Sequence, residues 1–255
     1  MTASLSAPPA VGTLHGVGVG PGDPELLTLR AVRIIDDAPV IAYPATRQGE
    51  SMALAIVDAF LRDDQEQLAL PLMFSPAQTP DDPAYDRAAD AIATHLDEGR
   101  SVAVLCQGDP LFHGSFIYLL ARLGDRYPVD VTPGVSSIMA SAAAIARPLA
   151  HGTETLTVVP ATASDDRLRA VLTPAEVAVV MKVGRHLPRV ARILAEVGLA
   201  DGALCVTRVG YADERVRPLP EALTRPEGVP YFTLVLARRA AADARDARTA
   251  EGDAA

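Results

Sequence analysis

The sequence predicts an α/β protein built as two α/β domains with a cleft between them, and three observations carry that expectation. Short apolar runs rich in valine alternate with segments whose apolar residues recur at helical spacing. Two of those runs, 14–20 and 101–106, lead into the same tripeptide, Gly22-Asp23-Pro24 and Gly108-Asp109-Pro110. After Pro148 the alternation starts again.

The elements follow in order. Val17 and Val19 lie in a run bounded by glycines, which predicts a first strand over 14–20. Pro21 and Pro24 delay a helix until Thr28, a natural N-cap, after which Leu29, Val32 and Ile35 fall on one helical side. Residues 40–43 form a second strand stopped by Pro44, and 51–61 a helix carrying Met52, Ala55, Ile56 and Ala59 on one side. The proline-rich stretch 70–83 reads as a long loop, followed by an amphipathic helix over 85–98 that Gly99 terminates. Then come a strand at 101–106, a helix at 115–123, a strand at 129–132 closed by Pro133-Gly134, and a small-residue helix at 136–145. A linker at 147–153 separates an N-terminal domain, 12–146, from a C-terminal one, 154–237. The second domain has strands at 156–159, 177–181, 204–207 and 230–237, and helices at 166–171 and 186–197. Tyr231, Thr233 and Val235 alternate along the last strand. Residues 1–11 are expected to be a disordered leader and 238–255 a disordered tail.

Composition narrows the function. With 255 residues, 49% of them hydrophobic, the chain can bury a sizeable core. A net charge of −9 argues against nucleic-acid binding, which needs clustered Lys and Arg. Aromatic residues make up 4% and Trp is absent, so a base-stacking platform lacks material. No apolar run reaches the roughly 20 residues that span a bilayer, and residues 1–10 lack a signal-peptide pattern, so the expected location is the cytoplasm with no membrane contact. Cys106 and Cys205 sit in apolar runs and read as small buried hydrophobes. No C-x-x-C or His/Cys cluster suggests a metal.

The glycine-rich loop near the N-terminus is not a dinucleotide fingerprint. Counted from Gly16 the sixth position is Pro21, and from Gly18 it is Asp23, so both frames of G-x-G-x-x-G fail. There is no Gly-Lys-Ser or Gly-Lys-Thr ending of a P-loop either. What remains is a rigid, acidic, proline-edged turn better suited to a cationic or hydroxyl-rich ligand than to a phosphate.

Residues 16–28, Gly-Val-Gly-Val-Gly-Pro-Gly-Asp-Pro-Glu-Leu-Leu-Thr, resemble the first signature of the tetrapyrrole (corrin and sirohaem) methyltransferases. Gln107-Gly108-Asp109-Pro110-Leu111-Phe112-His113-Gly114-Ser115 resembles their second motif, and Thr132-Pro133-Gly134-Val135-Ser136-Ser137 their third. The three stand in family order, and the resemblance spans about residues 12 to 237. Ala42-Tyr43-Pro44, Met181-Lys182-Val183-Gly184-Arg185 and Tyr231-Phe232-Thr233-Leu234-Val235 are most similar to the branch that methylates precorrin-2 at carbon 20 in cobalamin biosynthesis. Pro44 stands where the uroporphyrinogen-III branch has an acidic residue, and His113 where tyrosine is common.

The resemblance implies two α/β domains that hold S-adenosyl-L-methionine (S-adenosylmethionine) between them, a fold distinct from the Rossmann-like methyltransferases. It implies cofactor contacts at Pro21, Gln107, Gly108, Asp109, Phe112, Ser136, Ser137, Met181, Lys182, Val209 and Gly210. Asp109 either fixes its own turn or faces the amino-acid or ribose end of the cofactor. Tyr43 and His113 are the candidates for moving the proton that methylation of a carbon releases. The substrate is rich in carboxylates, so Arg185 is a candidate substrate contact, within a possible patch of Lys182, Arg185, Arg189 and Arg192. A homodimer is the expected assembly. The competing readings are methylation of a later corrinoid (precorrin-3B or precorrin-4), methylation of cobalt-precorrin-2, and a non-catalytic ligand-binding module.

Overall fold

The computed structural model describes residues 11–46, 48–72, 81–224 and 228–239. Residues 1–10 of the expected leader, 240–255 of the expected tail and 73–80 of the expected loop lie outside the described residues. The chain forms two compact units that divide between Ser136 and Ser137. No helix of the described residues is long and apolar enough to cross a membrane.

In the first unit β1 (Leu14–Gly18), β2 (Val40–Pro44), β3 (Glu66–Leu70), β4 (Val102–Cys106) and β5 (Val129–Thr132) form one sheet in the order β3-β2-β4-β1-β5. Every pairing in it is parallel. Helices α1 (Leu29–Asp37), α2 (Met52–Val57), α3 (Pro83–Asp97) and α4 (Phe116–Leu123) cover it. Strand alternation explains the layering, because neighbouring side chains leave opposite faces. Val102, Val104 and Cys106 pack with α3 and α4, whereas Ala103 and Leu105 pack with α1 and α2. Both faces are therefore apolar, which suits the near-continuous hydrophobic runs of a parallel sheet.

Caps fix the helix starts. Thr28 accepts a hydrogen bond from Ala31 N at 3.1 Å and opens α1, as its sequence context predicts. Asp82 caps α3, with Pro83 in its first turn. The helix expected over 51–61 is shorter: α2 ends at Val57 and a 3-10 turn, Asp58–Phe60, follows.

The second unit contains α5 (Ser137–Ala144), β6 (Leu156–Pro160), α6 (Asp165–Leu172), β7 (Val177–Met181), α7 (Leu187–Glu196), β8 (Leu204–Thr207), β9 (Arg215–Pro218), α8 (Leu219–Leu223) and β10 (Thr233–Arg238). Helix α5 thus groups with this unit, ahead of the 147–153 stretch expected to link the domains. The sheet order is β6-β7-β10-β8-β9. Strands β6 and β7 are parallel, while β10 runs antiparallel to both β7 and β8. The last strand therefore lies in the middle of its sheet, and Thr233 through Ala237 are all buried instead of alternating. Helices α6, α7 and α8 pack Leu168, Leu172, Val190, Leu194 and Leu219 against Ala178, Val180 and Val235.

A buried ion pair closes the end of the second sheet away from its ligand-type loops. Arg238 donates to both oxygens of Glu154, at 2.6 and 3.0 Å, and the Glu154 side chain is 2% exposed. Glu154 also accepts from His151 N at 3.1 Å, so the segment before β6 is tied to the end of β10. Both cysteines are buried, and burial pushes both thiols up, Cys205 to about 12.

Candidate active site

Three loops of the first unit meet beyond the carboxyl ends of the adjacent strands β4, β1 and β5, where ligands of parallel sheets bind. Gly20 and Gly108 pair directly: Gly108 N donates to Gly20 O at 2.7 Å, and Gly20 N to Gly108 O at 3.4 Å. Both hold a left-handed φ, 76° and 75°, which only glycine adopts without strain. Gln107 Nε2 donates to Pro21 O at 3.0 Å, a second tie between the first two loops.

The third loop joins through close packing. A methyl group on Gly134 would stand 2.1 Å from Gly108 O, and one on Gly18 would stand 2.4 Å from Gly134 N. Asp109 locks this approach. Its Oδ1 accepts from Leu111 N at 2.9 Å, within its own turn, and its Oδ2 accepts from Gly134 N at 3.1 Å, across to the third loop. Asp109 is thus a fixing residue, with each oxygen engaged by a backbone N–H. Beside it, a Cβ on Gly108 would meet nothing within 4 Å, so the backbone there borders open space.

Asp23 does the same in the first loop, accepting from Glu25 N at 2.8 Å and opening a 3-10 turn, Pro24–Leu26. Phe112 and His113 stand exposed on the second loop with their rings edge to face, centroids 5.0 Å apart. His113 has φ 55°, a conformation that costs a non-glycine residue energy and clusters at functional sites. Tyr43 is 7% exposed and belongs to the core beneath α1 and α2 with Val17 and Ile41. Ser136 and Ser137 are half-buried where the third loop enters α5.

The second unit has its own rim, made by the carboxyl ends of β6, β7 and β8 and the amino end of β10. Met181 O accepts from Ala161 N at 2.7 Å, and Val183 N donates to Thr233 O at 3.1 Å. Between these anchors Lys182 takes φ 56°, and partial burial holds its ammonium below the ordinary lysine range. Arg208 is also left-handed, φ 51°. Its Nε donates to Asp213 at 2.7 Å and its guanidinium lies 4.6 Å from the Tyr211 ring centroid. Gly210 N donates to Glu214 at 2.8 Å, and Val209 is buried beside it. Thr207 and Thr233 share a buried hydroxyl contact at 3.1 Å.

Two of the four cations considered as a patch are already neutralised. Arg189 pairs with Asp165 at 2.7 Å and donates to Ala163 O and Ala161 O. Arg192 pairs with Asp165 and with Glu196, each at 2.6 Å. The two guanidiniums hold the Asp165 carboxyl below the usual carboxylate range. Arg185 is exposed in the turn after β7 and has no ion pair among the described residues. Burial, with Arg189 and Arg185 nearby, keeps His186 below the usual histidine range. No group of three or more His, Cys, Asp or Glu that could hold a metal occurs among the described residues.

Comparison with known proteins extends this picture. The profile of the tetrapyrrole (corrin/porphyrin) methylases matches residues 13–223. The chain is 40% identical over 234 residues to a precorrin-2 C(20)-methyltransferase of Sinorhizobium sp, covering 89% of this chain and 95% of that one. It is 42% identical over 235 residues to the cobalamin biosynthesis protein CobIJ of Mycobacterium tuberculosis, again over 89% of this chain, but it spans only 46% of that relative's length. A solved uroporphyrin-III C-methyltransferase of Thermus thermophilus, complexed with S-adenosylhomocysteine, superimposes with a TM-score of 0.65 at 25% identity, covering 89% of this chain and 92% of that one.

Replacing Asp109 by alanine removes both acceptors of the loop lock. Urea denaturation is expected to show the Asp109→Ala variant less stable by about 1.5–3 kcal/mol. An unchanged unfolding midpoint would contradict the lock.

Proposed function

The chain belongs to the tetrapyrrole (corrin/porphyrin) methylases, and on that premise we propose that it transfers a methyl group from S-adenosylmethionine to carbon 20 of precorrin-2, in cobalamin biosynthesis. The observation that carries the reading is the near full-length match, on both sides, to the Sinorhizobium precorrin-2 C(20)-methyltransferase. The same reading includes a homodimer in the cytoplasm, which rests on the family resemblance.

The loop geometry fits the cofactor. Glycines at 18, 20, 108 and 134 bring three strand ends together, and the open space beside Gly108 lets a ligand approach bare backbone. The proposed contacts are Pro21, Gln107, Gly108, Asp109 and Phe112 in the first unit, Ser136 and Ser137 at the entry to α5, and Met181, Lys182, Val209 and Gly210 in the second. Asp109 serves through its hold on the loops. When bound, S-adenosylmethionine supplies a methyl group activated by its sulfonium.

The protein's part is orientation and exclusion of water, and orientation can contribute on the order of 7–11 kcal/mol to such a reaction. A rigid loop cluster suits that task better than a mobile one. For the proton released from the methylated carbon, exposure favours His113 over Tyr43, which is packed into the core. Arg185, with no ion pair among the described residues, is free to meet a substrate carboxylate.

Two experiments test the proposal. Incubation with precorrin-2 and methyl-labelled S-adenosylmethionine is expected to give a singly methylated product labelled at carbon 20. Label at another carbon, or none, would overturn the assignment. For the substrate contact, Arg185→Ala is expected to raise KM for precorrin-2 roughly ten- to a hundredfold, the worth of a charge-assisted hydrogen bond. Calorimetry should find its affinity for S-adenosylhomocysteine unchanged; equal losses in both would rule out a substrate-specific role.

A further inference from the structure

Helix α5, Ser-Ile-Met-Ala-Ser-Ala-Ala-Ala, carries no charged residue. Along it Met139, Ala142 and Ala143 stand at i, i+3 and i+4, which places them on one side, and Ala146 follows two residues beyond the helix end. Apolar helix surface of this kind is ordinarily covered, yet Met139 is 57% exposed and Ala143 and Ala146 are exposed as well. All four line an open cleft of about 620 Å³, together with Leu156 of β6.

Three features indicate what the cleft fits. Its volume lies within the roughly 300–1,000 Å³ range of small-molecule sites. Alanines on one helix side make a flat apolar surface without projecting side chains, and no acidic residue lines the cleft. Arg147 stands at its edge, exposed and with no ion pair among the described residues, in a chain whose net charge is −9. A flat apolar floor with a single cation at the rim complements a planar ring system fringed by carboxylates. Ala143 is six residues beyond Ser137, roughly 9 Å along the helix at about 1.5 Å per residue. The cleft therefore lies on the same helix whose entry carries the proposed cofactor contacts Ser136 and Ser137.

We propose that this cleft binds the tetrapyrrole, the macrocycle lying against Met139, Ala142 and Ala143 and one peripheral carboxylate pairing with Arg147. The inference rests on the methylase reading for its ligand class and adds a binding surface to it.

The test uses the full-length protein and uroporphyrin, a stable carboxylate-fringed porphyrin, with binding followed by fluorescence. Ala143→Trp fills the cleft, Arg147→Glu reverses its charge, and Arg147→Lys preserves the charge. Uroporphyrin binding is expected to weaken at least about tenfold in Ala143→Trp and Arg147→Glu and by less than about threefold in Arg147→Lys, as expected for a charge-assisted contact. Affinity for S-adenosylhomocysteine and far-UV circular dichroism should stay as in the wild type. No uroporphyrin binding by the wild type, or wild-type affinity in both disruptive variants, would overturn the proposal. So would a change of oligomeric state on gel filtration with porphyrin binding unaffected, since the cleft would then be a protein interface. The readout needs no turnover, so failure to methylate precorrin-2 counts against the proposed reaction and leaves the cleft to be judged by binding.

Discussion

The backbones at Gly18 and Gly134 approach so closely that neither position has room for a methyl group, and Asp109 holds them in that approach. Glycine at both positions is thus a steric requirement as well as a conformational convenience. Strands β1 and β5 run parallel side by side, so their following loops leave from the same edge and would otherwise diverge. A carboxylate accepting two backbone N–H groups is a strong way to prevent this, because charge-assisted bonds exceed neutral ones. The paired backbones of Gly20 and Gly108 bring in the remaining loop. The result is a cradle of main-chain groups whose shape is set before any ligand arrives, which limits the ordering cost of binding.

Charge is distributed to match. The chain is acidic overall, yet its proposed substrate is rich in carboxylates, so useful cations must be local and unspent. Arg189 and Arg192 are spent: Asp165 and Glu196 take them, and they tie α7 to the start of α6. Arg238 is spent on Glu154. Arg185, in the turn after β7, and Arg147, at the edge of the cleft beside α5, have no ion pair among the described residues. Partial burial disfavours the charged form of Lys182 and holds its ammonium below the ordinary lysine range.

The sequence made much of this legible, and its failures have physical causes. The buried strands β2, β4 and β7 appear as unbroken apolar runs because both of their faces are covered. Thr28 and the glycine-rich turns were equally readable, since capping and left-handed backbone are local properties. The edge strands β3 and β9 escaped notice because edges carry polar residues, Glu66 and Gln67 in one, Arg215 and Arg217 in the other. The central antiparallel placement of β10 depends on pairing with β7 and β8, which no local pattern reveals. The hold of Asp109 on the third loop was not legible, because only the fold brings the N–H of Gly134, 25 residues away in sequence, to the carboxylate. Likewise, the four-cation run looked like a patch until the fold brought Asp165 to Arg189 and Arg192.

The claim on which the rest depends is that close packing of the three loops builds the cofactor cradle. Titration calorimetry of S-adenosylhomocysteine into the Gly134→Ala variant tests it most directly, because the added methyl group must force the third loop away from Gly108 and Gly18. The account predicts a Kd raised at least about tenfold, about 1.4 kcal/mol, with far-UV circular dichroism unchanged. Wild-type affinity in that variant would contradict it.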